Sequence, residues 1–393
     1  MSVNSWLLLV YIFAVGCCIG SFLNVVIYRL PREKSLVSPP STCPSCGNRI
    51  QFYDNIPLVS WLVLQAKCRH CKSPISPRYF VIELLTGLVF LGLFVLYFVI
   101  GARHFEIDGQ IGIAAFFKGG WFVYLLHIIL LSVLIAVSAI DLELWLIPIV
   151  VCWFAALAGV AGSALAPFII KPESITGRYP LPVAGPDTAA LAAGAAIGLV
   201  ISLVLVAAGW IKESYEGRID SENPENGQEP KPEPEFNDRL EALREVLFLL
   251  PVIVCSIGFY LTIRNLMPDG WAKFVAIPAA GGFFGSLWGF FAGCAVVWAT
   301  RILGTLAFGR EAMGLGDVHL MGAAGAVIGA LPVAVAFFIA PFFGLGWVSI
   351  QMLTKKIHQI PYGPFLSLGI FTVMIFQDRI LDIWRLYALS FSR

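Results

Sequence analysis

Long apolar runs, separated by short polar interruptions, set the pattern of this chain. Windows of about 18 or more apolar residues are long enough to cross a bilayer as helices. They fall near 6–28, 79–100, 119–140, 145–168, 188–211, 246–263 and 274–300. Residues 318–353 form a 36-residue stretch without a charged side chain. It is long enough to cross twice, with a break expected around Leu331-Pro332, and 361–377 supplies a last span. The pattern predicts an all-α polytopic membrane protein of about 8–10 transmembrane helices, with about ten crossings on the fullest reading.

The polar interruptions divide the chain. Residues 1–30 hold the first helix, 31–78 a small soluble segment, 79–211 a first bundle, 212–245 a linker and 246–393 a second bundle. The linker carries eleven of the 25 acidic residues and the run Glu229-Pro230-Lys231-Pro232-Glu233-Pro234-Glu235. That composition predicts a disordered, solvated segment, with Asp238 to Glu245 reading as a short amphipathic helix at its end. The first residues, Met1 to Ser5, carry no Lys or Arg. A cleaved signal peptide is therefore not expected, and the first span reads as a true membrane helix.

Composition narrows the class. Of 393 residues, 58% are hydrophobic and 13% charged, far from the balance of a soluble domain. A net charge of +1 without a basic stripe gives no reason to expect a nucleic-acid partner. Lys and Arg are unevenly placed. With the N-terminus outside, the segments 29–78, 212–245, 301–316 and 355–360 hold 17 of the 26. The positive-inside rule then places those segments, and with them Asp141 and Asp317, at the cytoplasmic face.

The soluble segment contains Cys43-Pro44-Ser45-Cys46 and, 21 residues later, Cys68-Arg69-His70-Cys71. Each short turn presents two thiolates, and two such turns close a tetrahedral four-sulfur zinc site. A closed site of this kind is structural, and it explains how fewer than 50 residues can fold without a large core. Cys17, Cys18, Cys152, Cys255 and Cys294 lie in apolar runs and read as packing residues.

Polar groups at membrane depth are few, which makes each informative. Asn24 reads as a helix–helix hydrogen bond, His127 as a satisfied packing residue, and Arg78 as an interfacial partner of Glu83. Two aspartates are different. Asp317 closes Gly314-Leu315-Gly316-Asp317 at the mouth of the uncharged stretch, where two glycines leave the backbone open to another chain. Taken alone, that stretch also reads as a plain loop entering a helix. Asp141 closes the third span at the same face, two residues from Glu143, a spacing that sends the two carboxylates to different helix faces. Two carboxylates brought close cannot both ionise, so one holds a proton while the other acts as base on water.

In order along the chain these residues resemble a known family, the type IV prepilin leader peptidases, intramembrane aspartic proteases of the GxGD type. The resemblance rests on residues 20–31 (GSFLNVVIYRLP), the two CxxC pairs and the stretch from Tyr53-Asp54-Asn55 to Trp61. It continues through Ser76-Pro77-Arg78-Tyr79, Glu83 to Gly87, Ile140-Asp141, the GLGD stretch and Ile360-Pro361-Tyr362-Gly363-Pro364-Phe365. Residues 169–300 are not well covered. The resemblance implies that Asp141 and Asp317 are the catalytic pair and that Gly314 and Gly316 line the substrate loop, pairing with an extended leader. It implies prepilins or pseudopilins as substrates, cut after a glycine at the cytoplasmic face of the bacterial inner membrane. Members with the zinc-type segment also methylate the new N-terminus with S-adenosylmethionine. The chain departs from the family at Ile149 (usually Asp), His319 (usually Lys) and Ala66 (usually Gly). Since Ala66 lies in the segment linked to methylation, a peptidase without methyl transfer stays open. So does a different class, a proton-coupled membrane transporter using the two aspartates, although Asn24, Glu83 and His127 are too sparse to line a path. A catalytically silent assembly factor would be expected to lack one aspartate, and both are present.

Overall fold

The computed structural model describes residues 3–103, 106–211, 238–354 and 361–391. Residues 212–237, with most of the acidic segment, and 355–360, including Ile360, lie outside the described residues. Among the described residues, nine helices are long and apolar enough to cross a membrane, and the only β pairing is isolated bridges. The all-α polytopic expectation is met.

Ten helices carry the architecture. They are α1 (Val3–Arg29), α2 (Pro77–Val95), α3 (Trp121–Leu144), α4 (Ile149–Ile169) and α5 (Pro186–Ala207), followed by α6 (Asp238–Leu266), α7 (Pro278–Phe308), α8 (Leu315–Ile328), α9 (Ala330–Thr354) and α10 (Gly363–Phe391). Local chemistry sets many of the ends. Pro77, Pro186 and Pro278 open their helices, where a missing N–H costs nothing. Ser76 caps α2 by accepting the Arg78 N–H. Gly309 closes α7 in the left-handed conformation.

The chain forms two compact units. One comprises residues 1–158, 169–180 and 335–393, the other 159–168 and 181–334. In the first, α1, α2 and α3 pack together and α10 lies on α3. Gly16 and Gly20 of α1 meet the backbone of α2 at Gly87 and Glu83, too closely for a side chain. Asn24 joins the same two helices through the Tyr79 carbonyl at 3.1 Å, as a helix–helix hydrogen bond should. His127 is buried and bonded to the Tyr97 hydroxyl at 3.0 Å, the packing role expected of it.

In the second unit, α5 and α6 form a close hairpin. Gly194 and Gly198 let the α6 backbone in at Cys255 and Pro251, while Ser202 and Ser256 donate across to Phe248 and Leu191 carbonyls. Small residues at every fourth position are the membrane answer to packing without a hydrophobic driving force. The same device joins α7 to α8, where Gly289 faces Gly325 and Gly293 faces Met321.

Four sequence expectations change. The break in the uncharged stretch falls at Gly329, not at Leu331-Pro332. Its φ of 93° and ψ of 168° suit glycine, while Pro332 sits harmlessly in the first turn of α9. The stretch does not cross twice as two full spans, since α8 has 14 residues, about 21 Å of helix against about 30 Å of hydrocarbon. The span expected near 274–300 is longer, because α7 runs on to Phe308 and buries Arg301 by pairing it with acidic partners. Finally, Arg78 does not pair with Glu83. It binds Glu143 through both carboxylate oxygens at 2.6 and 2.8 Å, and Glu83 instead accepts the Leu58 N–H at 2.8 Å.

Candidate active site and metal segment

Asp141 lies in the last turn of α3 and is buried. A carboxylate there faces the negative end of its own helix and needs help from elsewhere. The help comes from α10, whose first residue, Gly363, donates its N–H to Asp141 Oδ2 at 3.0 Å. A Cβ on Gly363 would lie 2.5 Å from that oxygen, so only glycine allows the approach. Trp145 stops α3 in the left-handed conformation, returning its N–H to the Asp141 carbonyl. Glu143 points elsewhere, to Arg78, as the two-residue spacing implied.

Asp317 is buried in the first turn of α8, where the positive helix end favours an anion. Gly314 precedes the helix in extended conformation, with φ −72° and ψ 148°. Gly316 lies inside the first turn of α8, so its backbone is helical rather than strand-like. The α8 helix itself is almost wholly buried and is fixed to α7 by the glycine contacts and by Ser286, which donates to the Ala326 carbonyl. Asp141 belongs to the first unit and Asp317 to the second.

The four cysteines of the soluble segment come together, with all Sγ atoms within 4.8 Å of one another. Two near-identical turns build the cluster. In one, the Cys43 N–H donates to Asn48, the Gly47 N–H to Cys43, and Gly47 has φ 71°. In the other, the Cys68 N–H donates to Ser73, the Lys72 N–H to Cys68, and Lys72 has φ 59°. Backbone N–H groups of Cys46 and Ser45 favour the Cys43 thiolate and push its pKa down to about 6. Those of Cys71 and His70 lower that of Cys68. Four sulfurs at about 2.3 Å from a central ion would be about 3.8 Å apart, and Cys43 and Cys71 are separated by 3.8 Å. The cluster fits a metal ion held by thiolates.

Ala66 precedes the second turn with φ 57°, the left-handed conformation that glycine adopts freely. Its departure from glycine therefore leaves the local backbone path intact. The segment docks on α2 through the Leu58–Glu83 bond and the rings of Trp61 and Phe80, 5.0 Å apart. The sequence reading gave Arg301 no role, named Glu143 only as a neighbour of Asp141 and Gly363 only within the 360–365 stretch.

Fold and site define a multi-pass, all-helical membrane protein with a four-thiolate segment and two buried helix-end aspartates. Residues 14–97, which run from within α1 through the metal segment and α2, match the family model of the bacterial peptidase A24 N-terminal domain. Proteins named prepilin leader peptidase/N-methyltransferase are similar to it. That of Myxococcus xanthus is 41% identical over 153 residues, covering 39% of each chain. That of Vibrio cholerae is 53% identical over 78 residues, 18% of this chain and 31% of the relative. That of Aeromonas hydrophila is 35% identical over 167 residues, 36% and 50% respectively. The chain thus spans half or less of the length of these relatives. No solved structure matches it.

Proposed function

We propose that the protein is a prepilin leader peptidase of the bacterial inner membrane, with Asp141 and Asp317 as its aspartyl dyad at the cytoplasmic face. The observation that carries the proposal is that each aspartate is buried at a helix end with a helix N-terminus at its carboxylate. Buried carboxylates so supported are uncommon in a membrane protein and mark chemistry. The names of the relatives and the Lys/Arg bias support substrate and side.

In this mechanism the dyad shares one proton. The ionised carboxylate takes a proton from water as the oxygen attacks the scissile carbonyl, and the protonated one supports the developing oxyanion. The leader approaches at Gly314, where the backbone before α8 is extended. Cys43, Cys46, Cys68 and Cys71 would hold zinc. With all four thiolates bound it would have no open coordination position, and its role would be to hold the segment together.

Methylation of the new N-terminal amine is the second proposed activity. S-adenosylmethionine would supply an electrophilic methyl group, and no residue is assigned to hold it. The test is a cleavage assay on the full chain in detergent. A peptide with a basic leader and a Gly-Phe junction is the substrate, S-adenosylmethionine is present, and product masses are read. Cleavage lost in Asp141→Asn and in Asp317→Asn supports the dyad, and substantial residual cleavage in either refutes it. A further shift of one methyl mass adds the transferase, and its absence leaves a peptidase.

A further inference from the structure

We infer that Arg301 is a positioning residue for Asp317, fixing the segment that leads into the Gly314–Asp317 turn. The inference deepens the proposed function and rests on it for its catalytic consequence.

Arg301 lies in the last third of α7 and is 3% exposed. A guanidinium so deep costs several kcal/mol unless it is fully paired. Its partners come from two other elements. Nε donates to Glu245 of α6 at 2.8 Å, and Nη1 donates to Glu311 at 2.7 Å and to the Met313 carbonyl. The remaining oxygen of Glu245 accepts the Trp298 indole N–H at 3.0 Å. One turn further along α7, the Thr305 hydroxyl accepts the Ala312 N–H at 3.2 Å. At Gly304 an added Cβ would lie 2.6 Å from the Ala312 side chain.

Residues 311, 312 and 313 are therefore each tied to α7 immediately before Gly314, which precedes α8. Asp317 follows within one turn. A hydrogen bond to the Met313 carbonyl sets where that turn begins, and with it the direction from which Asp317 meets a substrate. Lysine could not replace this arrangement, since one ammonium nitrogen cannot serve Glu245, Glu311 and the carbonyl in a fixed plane. Misplacing a reacting group by about 1 Å can cost about 100-fold in rate.

The experiment compares wild type, Arg301→Lys and Glu311→Gln as full chains in detergent. Folding is checked by thermal melting, and Glu311→Gln, which keeps an acceptor at a partly exposed position, guards against simple misfolding. Two quantities are read: amide hydrogen exchange of the peptide spanning 309–317, and kcat and KM for the leader peptide. Arg301→Lys should speed exchange in that peptide at least about tenfold and lower kcat by about 10- to 100-fold, with KM within about threefold. Glu311→Gln should give the same pattern at smaller amplitude. A folded Arg301→Lys with wild-type exchange, or with kcat within twofold of wild type, overturns the inference. If wild type cleaves nothing, the peptidase proposal falls, and the exchange result alone decides whether Arg301 anchors the segment.

Discussion

Asp141 stands in the last turn of α3, while Asp317 stands in the first turn of α8. The first carboxylate lies at the unfavourable end of its own helix and is supported by Gly363, 222 residues away in sequence. The second is supported by the dipole of its own helix, and its approach is set by Arg301 sixteen residues before it. One environment is therefore assembled from afar and the other nearly in place. The contrast teaches where each is vulnerable: Asp141 to changes at the start of α10, Asp317 to changes along α7.

The largest effect tests whether the two regions act as one. Asp141→Asn and Asp317→Asn should each cost at least about 100- to 10,000-fold in kcat/KM. The double variant should be little worse than either, because groups acting as a unit are not additive. Additive losses would mean two separate roles.

Removing the metal comes next and should leave the contrast untouched. Cys68→Ser should lose bound zinc and make the 33–76 segment sensitive to protease, since structural zinc supplies on the order of 10 kcal/mol in small domains. Under chelation, activity should fall no faster than the segment becomes cleavable. A faster loss would place the metal in the chemistry.

Glycine substitutions separate the two aspartates directly. Gly363→Ala puts a Cβ 2.5 Å from the Asp141 carboxylate and should cost about 1–3 kcal/mol of stability as well as activity. Gly314→Ala puts one 3.4 Å from Asp317 Oδ2, at a backbone angle alanine accepts. Its melting temperature should be close to wild type, and any rise in KM would measure crowding of the substrate path. Equal destabilisation by the two variants would break the contrast. A smaller effect is expected at Ala66→Gly, which should relieve the left-handed alanine and stabilise the metal segment by about 1 kcal/mol, read from its melting.

The smallest effect is a pH dependence away from both aspartates. Hydrogen bonds from Arg69, at 2.8 and 3.1 Å from Nε, hold the Asp54 carboxyl below its ordinary range. A lowered folded pKa means the pair stabilises above the unfolded value of about 3.9 and that this contribution fades as pH falls through the folded value. Asp54→Asn should therefore melt slightly below wild type near pH 6, with the difference shrinking on acidification. A difference that grows with acid would reverse the assignment.

Much of the molecule was legible in the residues. Among the described residues, apolar runs located every helix long and apolar enough to span, because hydrocarbon demands about 20 apolar residues and internal hydrogen bonding of the backbone. The CxxC pairs located their cluster because each turn is local and carries its own hydrogen bonds. Asp141, Asp317, Asn24 and His127 stood out because polar groups in apolar runs are few.

What the sequence left open is where helices face and which polar groups meet. A membrane helix is apolar on all sides, so no stripe of hydrophobic residues reveals its neighbour, and its contacts depend on small residues spaced to suit a partner. Arg78 had two carboxylates within reach, and α3 supplied the one it took. Arg301 was one of the Lys and Arg counted at the inner face, and its burial depends on the carboxylates of Glu245 and Glu311. The uncharged stretch broke at Gly329, where a positive φ was needed, rather than at the proline. Helix existence is a local consequence of composition, whereas the partner of a buried charge is chosen by the packing of helices distant in the chain.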